Sequence, residues 1–248
     1  RDRPYTAGGS GIRQSRNLLP DCRLKPCIGI KLDGYMNLNQ MIDKIAQKDF
    51  VVDEFIPTAI SDKCARDEMV KQMVSNPDIM VYYHCYYIVS KASQENPELF
   101  YRYWEDFVKL LNHKNSYHRN FALDIIGNLT KVDVDNRFSD IEDAYFGLID
   151  DSKFMTGNCC VQNLVKIHRH KVELRERIVE LLLDIEDHCS YTEKQKALLK
   201  CDVLEIFDDI YEDSPEVDRI NEFIRTQTDS ISLKTRNEAR ELVKKYGL

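Results

Sequence analysis

The sequence predicts an all-α fold, an α-solenoid of about four stacked helix pairs with an N-terminal helical cap. Three observations predict it: a stretch that recurs at nearly constant spacing, a second amphipathic segment between the copies, and helix-start signals placed where the copies require them. The clearest copy is Ser116 to Leu129, SYHRNFALDIIGNL. Setting Phe154 to Ile167 under it at an offset of 154 − 116 = 38 puts Asn158 under Asn120, Cys160 under Ala122, Leu164 under Ile126 and Ile167 under Leu129. Leu233 to Tyr246 matches at 239 − 122 = 117, three periods of 39, with Arg236, Asn237, Ala239 and Leu242 on Arg119, Asn120, Ala122 and Ile125. Upstream, Cys85, Ile88, Val89 and Ala92 fall in the same register, and Cys201 with Leu204 marks a weaker fourth copy.

The clearest copies carry a small residue followed at +3, +4 and +7 by apolar ones, which is one face of a helix. The small residue lets a neighbouring helix approach closely. Between the copies lie Phe100, Trp104, Phe107 and Leu111, then Ile141, Tyr145 and Leu148, then Ile178, Leu181, Leu182 and Ile185, then Ile220, Phe223 and Ile224. The unit is therefore a helix pair. One pair cannot bury both of its faces, whereas a stack can, so such units come in arrays.

Taken in order, residues 1–35 stand apart. They hold five of the nine glycines and three of the seven prolines, show no periodicity, and carry 7 − 3 = +4 charges, leaving −7 − 4 = −11 for the rest. This composition reads as a disordered or non-native extension. Residues 36–75 have helical patterning without the repeat and form the expected N-terminal cap; 76–248 form the array. Helix starts are signalled by Asn76-Pro77, Asn96-Pro97 and Ser214-Pro215, a capping side chain before a proline at the first helical position. Ser139 with Glu142 and Thr192 with Gln195 read as capping boxes. Helices are expected near 38–48, 50–60, 63–74, 78–93, 97–112, 117–130, 140–149, 155–168, 173–187, 193–209, 215–227 and 233–246. No strand is expected.

The Arg-x-x-Ala pattern after a turn, Arg119 with Ala122 and Arg236 with Ala239, resembles the HEAT-like family of repeats over about Asn76 to Leu248. That resemblance implies a right-handed α-solenoid of HEAT-like pairs. The copy at Phe154 departs from it, with Gly157 where the Arg should stand. It also implies a binding role on the concave face, which the family builds from the second helix of each pair. On those segments the residues expected to hold a protein or peptide are Arg102, Glu105, Lys109, Asp143, Arg177 and Glu180. The expected function is thus a non-catalytic scaffold or adaptor, with a cytoplasmic location.

Several chemical signals in the sequence also have plainer readings. His168, Arg169, His170 and Lys171 form the most basic stretch of the body and could receive a phosphate or an acidic peptide; the plainer reading is a solvated turn whose charges favour a helix C-terminus. Asp133, Asp135, Asn136 and Asp140 suggest a calcium loop, but Phe138 stands where Gly is needed and Ala144 where Glu is needed. Among the eight cysteines no CxxC pair occurs, and Cys85, Cys160 and Cys201 fall at the small core position, so they read as buried hydrophobes in a reducing compartment. No phosphate-binding, nucleotide-binding or metalloprotease motif is present, so no cofactor and no metal are expected. The aromatic concentration from Tyr82 to Trp104 admits one alternative, a HEAT-like enzyme that excises alkylated bases from DNA. It requires a groove holding Tyr103, Trp104 and Asp106, and the −11 balance of the body opposes a phosphate-tracking surface.

Overall fold

A computed structural model describes residues 30, 31 and 35–248. Most of the segment expected to stand apart from the fold lies outside the described residues. At its end a two-residue antiparallel pairing, β1 (Ile30–Lys31) with β2 (Tyr35–Met36), precedes the helices. Thirteen α-helices follow among the described residues, and they sort into an N-terminal group and two rows.

The N-terminal group is α1 (Leu38–Ile45), α2 (Ile56–Ser61) and α3 (Lys63–Ser75), all packed on one another or on α4 (Ile79–Glu95). α1 opens with a capping box, Asn37 with Gln40, that the proline-based signals had not marked. The long row contains α4, α7 (Ser116–Leu129), α9 (Phe154–His170), α11 (Glu193–Ile210) and α13 (Leu233–Tyr246). Each is the recurring stretch of the sequence, and each packs directly on the next. The small positions Cys85, Ala122, Cys160, Cys201 and Ala239 are all fully buried, as close helix packing requires.

The second row is short and irregular: α5 (Pro97–Phe100) with α6 (Trp104–Leu110), α8 (Glu142–Phe146), α10 (Arg175–Leu183) and α12 (Val217–Gln227). The segments expected as single helices over 97–112 and 140–149 are interrupted by 3-10 turns at Tyr101–Tyr103 and Gly147–Asp150. Ser139 does not cap α8. It sits inside the turn Arg137–Asp140 and its hydroxyl donates to the Asn136 carbonyl, so the expected capping box is absent, whereas that of Thr192 and Gln195 is present. At Asn76-Pro77 the cap moves two residues on. Asp78 accepts the Met80 N–H, where its charge also favours the helix N-terminus, and Asn76 accepts the Asp78 N–H.

Arginines close the turns that start the repeats. Arg119 donates to the carbonyls of His113 and Lys114 and grips Asp151 of the following unit through two bonds of 2.7 and 2.8 Å. Arg66 and Arg236 reach back to carbonyls in the same way. In α9, where Gly157 replaces the arginine, the phenol of Tyr191 occupies the space and its hydroxyl donates to the Asp151 carbonyl at 2.8 Å.

One buried histidine gives the array a pH dependence. His118 on α7 is packed among Tyr82, Phe121 and His113, the last with ring centroids 4.2 Å apart. Burial, with His113 adding to it, lowers its pKa from 6.5 to about 4. The unfolded chain then binds more protons than the folded one between those values, so stability falls as pH drops from about 6.5 to about 4. Urea midpoints of His118→Phe are expected to change less with pH across that window than those of the wild type.

Candidate functional site

The two rows present different faces. On the short row, side chains of successive units join in a ladder. Asp67 accepts from the Tyr103 hydroxyl, Glu105 pairs with Arg137, Glu142 and Asp143 pair with Arg177, and Glu180 pairs with Arg219. The guanidinium of Arg177 also lies 4.9 Å from the Phe146 ring centroid. Of the six residues expected to hold a partner, Glu105, Asp143, Arg177 and Glu180 therefore belong to this ladder, Lys109 pairs with Asp106 on its own helix, and Arg102 lies against the Tyr103 ring. The structure brings the six together in one row and supplies most of them with counterions from neighbouring units.

Beside the short row the surface opens. A cleft of about 420 Å³ lies between α8 and α10, lined in part by Asp143, Phe146, Arg177, Glu180 and His188. A second, of about 470 Å³, lies between α3 and α6 and is lined in part by Asp67, Arg102, Tyr103 and Asp106. Tyr103 and Trp104 are themselves buried, at 8% and 2% exposure. Neither ring offers a face on which a base could stack, so the platform required for base excision is missing at the place the sequence suggested for it.

The basic stretch at the end of α9 disperses. Lys171 is buried and pairs with Asp133 at 2.6 Å, while Arg169 reaches Asp209 on α11. His168 is buried as well, and burial with neighbouring Arg169 and Lys131 lowers the pKa of His170. The ammonium expected to receive an anion is instead part of the core. Asp133 explains the calcium-like acidic run: its carboxylate accepts from Tyr101 at 2.6 Å and from the backbone of Arg137 and Phe138 at 2.8 and 3.0 Å, besides Lys171.

The long row forms a continuous wall. Asp124 of α7 accepts from Tyr86 and Ser90 of α4 and pairs with Lys166 of α9 at 2.6 Å, linking three repeats at one point. Gln162 of α9 donates to Asp202 of α11 at 3.0 Å, and Lys234 of α13 pairs with Glu205 of α11 at 3.0 Å. At the N-terminal end the wall carries tyrosines. Tyr83 meets Tyr87 and Tyr117 edge-on, with ring centroids 5.0 and 5.4 Å apart, and Tyr86 stacks on Phe121 at 4.0 Å. The group is divided between core and surface: Tyr82 and Phe121 are buried, whereas Tyr87 and Tyr117 are exposed.

A designed armadillo repeat protein solved in complex with the peptide (KR)4 superposes with a TM-score of 0.51 at 12% identity, covering 84% of this chain and 99% of that one. The chain shares the fold of helical-repeat solenoids. A second designed armadillo repeat protein gives a TM-score of 0.48 at 13% identity over 82% of this chain and 97% of the other. No protein-family model and no curated protein matches the sequence, so the HEAT-like character rests on the motif resemblance alone. No helix among the described residues is long and apolar enough to cross a membrane.

Proposed function

We propose that this protein is a non-catalytic scaffold that holds a protein or peptide along the wall of long helices. The observation that carries the reading is the asymmetry of the two rows. The long helices touch throughout, while the short ones meet sparsely and leave an open cleft between α8 and α10. A stack in contact on one side and gapped on the other bends toward the contacting side, which makes the long row the inner face. We therefore take the long row as the binding face in place of the second helices to which the resemblance assigns it, with the charged residues of the short row tying units together. The peptide complex of the designed armadillo repeat protein supports peptide capture as a use of this fold. A cytoplasmic location belongs to the same proposal, supported by the small buried cysteines that serve the packing.

The test is affinity capture from an extract of the source cells with the full chain, with and without nuclease, comparing Tyr117→Ser on the long row with Arg177→Ala on the short row. Protein partners are expected to survive nuclease, to be lost with Tyr117→Ser and to be kept with Arg177→Ala. Loss with Arg177→Ala alone would return the binding face to the short row, and recovery of nucleic acid would defeat the scaffold reading.

A further inference from the structure

Consecutive units are joined by two kinds of contact. Those that hold the long row are buried: small residues let its helices touch, and in the turns at the ends of α7 and α9 Lys171 pairs with Asp133 and Arg119 with Asp151, all four side chains largely out of solvent. Those of the short row are wet. Glu105 with Arg137, Glu142 and Asp143 with Arg177, and Glu180 with Arg219 each cross from one unit to the next, and the three arginine side chains are 30%, 48% and 45% exposed. In every case the earlier unit supplies the carboxylate and the later one the guanidinium. A single exposed ion pair contributes little, but a series of one polarity at every joint of the row is part of how the array is built.

Dissolved ions act on the two kinds differently. Exposed pairs are weakened by salt, whereas buried ones are screened much less, so salt can loosen the short row while the long row stays closed. The cleft between α8 and α10 gives that loosening room, since these two helices meet sparsely. Arg177 spans it. From α10 it reaches Asp143 of α8 at 2.9 Å and pairs with Glu142, and its guanidinium rests on the Phe146 ring. Around the same cleft stand the carboxylates of Asp143, Asp150 and Glu180, and Glu180 is held in turn by Arg219 of α12 at 3.0 Å. Without the two guanidiniums these carboxylates would repel one another.

We propose that the exposed ion pairs of the short row are a salt-sensitive latch on the curvature of the array: engaged, they draw α8, α10 and α12 together, and screened, they let the three part so that the array bends further toward the long row. A rotation of about 10° about the long-row contact, acting over the roughly 8–10 Å between packed helices, moves neighbouring short helices apart by about 2 Å. Small rotations add along a solenoid, so the two joints from α8 to α12 give about 4 Å. The latch concerns the shape of the wall and holds whether or not a partner sits on it. For a partner on the long row it is control from the opposite face.

The test is pulsed double electron resonance on the full chain, with spin labels carried on p-acetylphenylalanine so that the native cysteines are left alone. One labelled pair replaces the exposed Ala144 of α8 and Asp218 of α12, across both joints of the short row; the other replaces the exposed Tyr117 of α7 and Lys194 of α11, across the same joints of the long row. Between about 0.01 and about 1 M NaCl the screening length falls from about 30 to about 3 Å, and over that range the short-row distance is expected to lengthen by about 4 Å while the long-row distance stays constant. Arg177→Gln combined with Arg219→Gln should make the short-row distance long already at the lower salt, with no further lengthening. Arg225→Gln, which removes an arginine paired only within α12, should follow the wild type. A short-row distance indifferent to salt, a double variant that is short at low salt and lengthens as the wild type does, or equal lengthening on both rows would overturn the proposal.

Discussion

Asp133→Ala is expected to lower stability by about 3–5 kcal/mol, the range for removing one partner of a buried ion pair. The carboxylate has no exposed surface and the Lys171 side chain is 6% exposed, so neither charge can turn to water. Without Asp133 the ammonium keeps only the Asp133 carbonyl at 3.3 Å and Asn136 Oδ1 at 3.0 Å, and the Tyr101 hydroxyl and two backbone N–H groups lose their acceptor. Lys171→Met should cost less, because three donors still satisfy Asp133. The double variant Asp133→Asn with Lys171→Met should recover part of the loss, since no charge then remains buried. Urea unfolding of the four proteins checks the order. The same site has an acid limit. Burial pushes the Asp133 carboxyl up, but Lys171, Tyr101 and the two N–H groups together outweigh it and hold its pKa below 3.8. Its folded value is depressed, so its contribution is complete above the ordinary carboxylate pKa and is lost as pH falls through the folded one.

Gly157→Ala is the second large effect, at about 1–3 kcal/mol by the usual cost of overpacking. A Cβ there would lie 2.2 Å from the Tyr191 hydroxyl oxygen and 2.4 Å from the Ile149 carbonyl oxygen. The tyrosine could swing aside only by giving up its bond to Asp151, and the backbone carbonyl cannot move without disturbing the turn Gly147–Asp150. Gly147→Ala is the control, because a Cβ there meets nothing within 4 Å. Thermal melts should separate the two, with Gly147→Ala close to wild type. Equal melting of both variants would show that the gap at Gly157 is not filled by Tyr191.

The long row was legible because it obeys a local rule. A small residue with apolar residues at +3, +4 and +7 sits in the copies at Cys85, Ala122 and Ala239, and in part in those at Cys160 and Cys201, and that pattern lets neighbouring helices pack closely. The short row carries fewer apolar positions, and its 3-10 turns depend on how each segment meets the long helices, which no local window contains. Pairings across units were hidden for the same reason. Glu180 and Arg219 are 39 residues apart and Asp133 and Lys171 are 38 apart, and nothing near either residue announces the other. Hence Asp133 resembled a failed calcium ligand, and Lys171 an anion receptor, when each is the other's counterion. Gly157 was seen as a missing arginine; the tyrosine that replaces it comes from the next unit.

The central claim is that partners are held on the long row. Lysine-directed cross-linking of a captured complex, mapped by mass spectrometry, tests it most directly, because both rows carry accessible amines: Lys91, Lys234 and Lys245 on the long helices, with side chains 50%, 61% and 54% exposed, and Lys109 on the short row at 72%. Cross-links from the partner concentrated at Lys91, Lys234 and Lys245 are the predicted result. Cross-links concentrated at Lys109, with the long-row lysines unmodified by the partner, would contradict it.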